Sequence, residues 1–207
     1  MRLPALLSLV AAGALLAAPA QGQAPGATGI ERTERVVVRP ATAAGRAAPG
    51  WTVHREQGPA DCWGTSPTAV DDGITECGPS ALYLPACWRS RRHTVLCLRQ
   101  VTDDALVRVR YSGTYPDATA PARPSPQGLL LVNGQRCNIR VGGAWGVPPG
   151  HPDWVGYYAC RHGDVYGPPN GDGINRHRPV WRVHLLLPDG TTVTRRVERA
   201  TYVGTAR

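Results

Sequence analysis

The 207-residue chain has no lysine, no phenylalanine and a single methionine. Without phenylalanine, the bulk of a core must come from the six tryptophans, the seven tyrosines and the aliphatic residues. Without lysine, all 23 basic residues are arginine, which points to a GC-rich coding bias more than to a binding role. No Cys-x2-Cys pair occurs, so the usual structural zinc spacing is missing. No His-Glu-x-x-His is present, and none of Ser66, Ser80, Ser90, Ser112 and Ser125 sits in Gly-x-Ser-x-Gly. No glycine-rich phosphate loop follows a strand and opens a helix, so nucleotide chemistry is not indicated. With 24 glycines and 20 prolines, long helices are excluded.

What is present begins with an export signal. Met1 and Arg2 precede an apolar run from Leu3 to Ala18, which is too short for a membrane span of about 20 residues. The run ends in Ala18-Pro19-Ala20, which places cleavage after Ala20; Gly22-Gln23-Ala24 is a weaker alternative. No cysteine follows the run to carry a lipid, and no later stretch is long enough to stop transfer. The mature chain is therefore expected to be secreted, without a transmembrane segment.

Six cysteines remain after that cut: Cys62, Cys77, Cys87, Cys97, Cys137 and Cys160. An even number in an exported chain reads as three disulfides. Six cysteines allow 15 connectivities. Four of them crowd together and two stand apart, which singles out Cys137 with Cys160 as one pair.

The chain divides into a signal peptide (1–20), a flexible leader rich in Ala, Pro and Gly (21–50) and a disulfide-bonded β domain (51–207). Val36-Val37-Val38 is the one apolar cluster in the leader and could add an edge strand. Within the domain, branched and aromatic runs alternate with turn clusters. Strands are expected over Trp51 to Arg55, Thr94 to Arg99, Leu106 to Tyr111, Gly128 to Val132, Cys137 to Val141, Val155 to Arg161, Val180 to Leu187 and Thr191 to Val197. Asn133-Gly134 predicts a hairpin with a type I′ turn, and Pro188-Asp189-Gly190 predicts a second hairpin. Gly78 to Leu84 could form one or two helical turns, and the four prolines of Pro116 to Gln127 predict an extended loop. The fold class is mainly β: a single antiparallel sandwich or small barrel stapled by disulfides.

Losing Arg2 with the signal leaves 22 arginines against 15 acids, a formal charge of +7. That excess suits an acidic envelope polymer, but the arginines are spread along the chain, and a solvated surface is the better account of them. The expected partner is an envelope polymer or another secreted protein. No cofactor, resident metal or nucleic acid is expected.

Gly143-Ala144-Trp145, His151-Pro152-Asp153-Trp154-Val155-Gly156-Tyr157-Tyr158, Gly171-Asp172-Gly173-Ile174-Asn175 and Pro179-Val180-Trp181 resemble segments of a group of secreted actinobacterial six-cysteine proteins. The likeness runs from about Cys62 onward. It implies export and a folded domain, and it transfers no functional residue.

The densest polar stretch lies between His151 and His177. Two His-x-Asp pairs, His151 with Asp153 and His162 with Asp164, would each share a face if extended. Imidazole and carboxylate could hold zinc for hydrolysis, but the glycines and prolines around them mark turns, which carry such residues for local hydrogen bonds. Asn170 to Asn175 imitates the middle of a calcium loop and fails at both ends, where Pro168 and Pro179 stand. The six tryptophans, with Tyr157, Tyr158 and Tyr166, could form an aromatic platform, but without phenylalanine core volume is the better account of most of them; Trp145 and Trp154 lie in loops where burial is less needed, so these two suggest a stacking surface. The candidate binding residues are Trp145, His151, Asp153, Trp154, His162, Asp164, Asp172 and His177. The function expected is a binding or interaction domain outside the cytoplasm, with a metal-assisted hydrolase as the alternative.

Overall fold

The computed structural model describes residues 29–78, 83–143 and 145–207, without the side chains of 56–58. The expected signal peptide and the first part of the expected leader lie outside these residues, as does most of the segment expected to form helical turns. The described chain is all β. The strands are β1 Glu34–Thr42, β2 Thr52–Thr65, β3 Ile74–Gly78, β4 Leu84–Arg89, β5 Thr94–Leu98, β6 Ala105–Ser112 and β7 Gly128–Leu131. They continue with β8 Arg136–Ile139, β9 Val155–Cys160, β10 Gly163–Gly167, β11 Ile174–Asn175, β12 Arg182–Leu186 and β13 Thr192–Ala206.

The expected disulfide-stapled β fold is present, built as two closed barrels. Strands β2 to β6 close the first, with β2 and β6 running parallel. In the second, β13 pairs with β12 through Thr192–Arg196 and with β7 through Val197–Thr201, so β13, β7, β8, β9, β10 and β12 form an antiparallel ring. Closure leaves few open edges. The thirteen strands of the described residues also exceed the roughly eight around which one side-chain-filled barrel closes.

Each barrel has its own core. Ala60, Cys77, Leu84, Cys87, Val95, Cys97, Val107, Val109 and Tyr111 draw on all five strands of the first. Leu129, Leu131, Cys137, Tyr158, Val165, Val183, Leu185, Val197, Ala200 and Tyr202 draw on all six of the second. A third cluster joins the barrels: Ile74, Ala86, Trp88, Leu96, Leu98 and Leu106 from the first meet Ala41 of β1 and Val203 of β13. Trp88 donates its indole N–H to Thr205 Oγ1 (3.1 Å) across this seam. Beside the seam the buried Thr68 hydroxyl donates to Gln127 Oε1 (2.8 Å) and Gln127 Nε2 donates to Arg99 O (3.2 Å), so the buried polar groups are matched.

The three disulfides are Cys62–Cys77, Cys87–Cys97 and the expected Cys137–Cys160. Every pair consists of register partners on adjacent antiparallel strands, with Cα atoms 4.0 Å apart. That is the closer of the two cross-strand spacings, the one that brings facing side chains together.

Two details depart from expectation. The leader is ordered from Glu34, because Val36, Val37 and Val38 pair in parallel with Thr201, Tyr202 and Val203. The valines thus add the edge strand that their β-branched side chains favour. At Asn133-Gly134 only the glycine has positive φ (78°), and Leu131 N–H reaches Gln135 O (2.8 Å). The hairpin is therefore a three-residue loop with glycine at the left-handed position instead of a type I′ turn. Pro188-Asp189-Gly190 has the same form, with Gly190 at φ 83° and Leu187 N–H on Thr191 O (2.9 Å). Residues 113–127 have no regular structure, as their prolines require.

Candidate functional site

On the second barrel, strand alternation turns Val165 and Leu185 inward, and so it turns Tyr166 and His184 outward. Register aligns Gly156 of β9, Tyr166 of β10, His184 of β12 and Thr194 of β13 in one row across the outer face. The segment between β8 and β9 folds back over this row and carries Trp145, His151 and Trp154.

Trp145 lies directly on Gly156. A Cβ built there would come within 1.8 Å of the indole Cε3 atom, so the ring has room only because the residue is glycine. The Trp145 ring is tilted against Tyr166 at 6.0 Å, and its N–H donates to Gly142 O (3.2 Å). The Arg140 guanidinium covers it at 4.9 Å and is itself hydrogen-bonded to Gly143 O. Beneath Trp145, Tyr166 is 2% exposed, and that burial pushes its phenol pKa up, with Asp164 adding to the rise. Trp145 is thus a cover for the outer face of the sheet.

Trp154 extends the row. Its ring is stacked on His151 at 3.7 Å and 16°, and it meets His184 at 5.0 Å on another side. Two successive turns place these rings, with His151 N–H on Pro148 O and Trp154 N–H on His151 O, both 3.1 Å. All three residues are partly exposed. Burial lowers the His184 pKa, and the neighbouring His151 lowers it further, so His184 is held toward its neutral form.

The other candidates lie apart. His162 occupies the turn joining β9 and β10, where its carbonyl accepts Gln135 Nε2 (2.8 Å). His151 precedes the opposite end of that hairpin, so the two His-x-Asp pairs do not converge. Asp153 is exposed. Asp164 is partly buried within β10; burial raises its pKa, against a lowering backbone hydrogen bond from Cys160. Asp172 takes the two-nitrogen fork of Arg176 and the N–H of Ile174 (3.2 Å), while Arg176 also lies 4.9 Å over the Trp181 ring. His177 is exposed, its N–H donated to Asn175 Oδ1 (3.1 Å).

These placements remove the geometric basis for a metal centre among the eight. Among the described residues, the one group of three potential ligands within mutual reach is Cys77, Cys87 and Cys97, all in disulfides. The carboxylates of the calcium-like turn at Asn170 to Asn175, and of the similar turn at Asp71-Asp72-Gly73, are also committed elsewhere. Asp71 binds Arg39 and Thr205, Asp72 accepts Ala120 N–H (2.7 Å), and Asp172 is paired with Arg176.

Sequence reasoning missed Arg140 and His184, and it counted Tyr166 only as one of many aromatics. His184 was legible in principle, because it alternates with Val183 and Leu185 in an expected strand. Arg140 gave no signal, since the loop that it meets carries no pattern tying it to a strand. Compared with known proteins, the chain matches no family model, and neither the curated proteins nor the solved structures give a significant match.

Proposed function

We propose that this protein is a binding domain that acts outside the cytoplasm and holds a cell-envelope glycan against the aromatic row of its second barrel. The observation that carries the reading is the stack of Trp154 between His151 and His184, partly exposed on a segment that the barrel core does not use. A partly exposed indole held between two imidazoles offers the portion it leaves open as an apolar, pre-ordered surface to a sugar ring at small entropic cost. Three disulfides are compatible with an extracellular site of action. Among the described residues, no helix is long and apolar enough to cross a membrane. The hydrolase alternative has no supporting geometry, because its candidate ligands sit at opposite ends of a hairpin.

The deciding variant is Trp154→Ala. It should keep the melting midpoint within about 3 °C of the parent and weaken retention on insoluble wall glycan by at least about tenfold. If Trp154 is instead a packing residue, the same change costs about 3 to 5 kcal/mol and the midpoint falls by many degrees. That outcome, or unchanged retention, overturns the reading.

A further inference from the structure

The first barrel carries a different surface. Leu96, Leu98 and Leu106 on the outer face of β5 and β6 are covered at the seam between barrels. Further along the same face, cross-strand register places Thr94 opposite Arg110 and Leu96 opposite Arg108, and Arg55 of β2 is the partner of Arg108. The turn after β1 forms a facing wall. Gly45 has φ 62°, and a Cβ there would meet Arg89 O at 2.4 Å, so the turn presses onto the end of β4. The β4–β5 turn completes the enclosure.

The result is a groove of about 650 Å³ into which Arg46, Arg55, Arg91, Arg92, Arg108 and Arg110 converge. Its floor is tied together by Ser90, whose hydroxyl accepts Arg108 Nη1 (2.8 Å) and donates to Gly45 O (3.0 Å). No acidic residue lines it, and among the described residues none of these six arginines is in an ion pair. Facing like charges such as Arg55 and Arg108 destabilise a sheet when nothing lies between them. Arg92 and His93 also hold consecutive left-handed conformations (φ 57° and 53°), positions that glycine or asparagine fills with less strain.

We propose that this groove is an anion-binding site for a ligand with closely spaced phosphates, either a free oligophosphate or the phosphate groups of a wall polymer. A guanidinium fork engages phosphate oxygens two at a time. The volume falls in the range of small-ligand sites. Six cations in that space match several charges a few bonds apart, which a polysaccharide with one carboxylate per sugar does not supply. The site uses none of the aromatic residues, so it stands or falls separately from the glycan reading.

Calorimetric titration with inorganic tripolyphosphate tests it. The variant Arg55→Gln/Arg110→Gln changes two exposed strand residues and should weaken binding about a hundredfold, a factor of ten for each charge-assisted contact. It should melt no lower than the parent, because it relieves repulsion. The control Arg161→Gln/Arg178→Gln removes equal charge outside the groove and should keep affinity within about threefold, the share of a screened long-range field. Competition by a wall phosphodiester polymer assigns the ligand to the wall; its absence assigns a free oligophosphate, and both outcomes support the site. Equal losses in the two variants, oligoglutamate binding as tightly as tripolyphosphate, or no binding to the parent protein each overturn it.

Discussion

The carboxylate of Asp71 accepts the backbone N–H of Thr205 at 2.8 Å, across 134 positions of sequence, and the same oxygen takes the guanidinium of Arg39. One side chain thereby joins the turn before β3 to the ends of β13 and β1. Burial works against its charge, but Thr205 and Arg39 outweigh burial and pull its pKa below the ordinary value. A carboxylate with a lowered folded pKa contributes stability that is fully present above the unfolded value of about 3.9 and is lost as pH falls through the folded one. Asp71→Asn should therefore lower the melting midpoint at pH 7 and flatten its decline below about pH 4. Parallel pH profiles of parent and variant would show that the contact contributes nothing.

His184 shows the same sign for a base. Its folded pKa lies below the ordinary value, through burial and then through His151. Its contribution is present above about pH 6.5 and is lost as pH falls through the lowered value. An NMR titration of the His184 ring should give a midpoint below 6.5, and His151→Gln should move that midpoint upward. A midpoint at or above the ordinary value ends this account of the stack.

Gly156→Ala tests whether the loop is held down by close contact. The new methyl group occupies space that the Trp145 ring fills. The segment 142–154 must lift or the sheet must shift, at about 1 to 3 kcal/mol for overpacking. Expected results are a midpoint lower by several degrees and a red-shifted tryptophan emission as Trp145 enters water. An unchanged emission spectrum would mean that the ring does not rest on this glycine.

Alternation and turn chemistry made much of the fold legible. All eight expected strands occur, and Cys137 pairs with Cys160 as spacing suggested. β3, β4, β10 and β11 were missed; strands buried on both faces, such as Leu84 to Trp88, show no alternation. Two barrels were not legible because closure depends on which strand β13 meets, a long-range choice that no local pattern carries. The candidate stretch reads in sequence as one polar cluster, yet a hairpin separates His151 from His162. The arginine groove failed in the opposite way: positions 46, 55, 91, 92, 108 and 110 look dispersed along the chain, and strand register gathers them.

The disulfides bear on the order of events during folding. Their partners are 15, 10 and 23 residues apart, so each of these short loops closes at small entropic cost. β13 works the other way, since its partners include β1 at one extreme and β12 at the other. The second barrel cannot close until those last strands arrive, and until then the outer leucines of the first barrel await Val203. A folding chain can thus hold three covalent hairpins before it holds a finished core, as an oxidised intermediate with one open side.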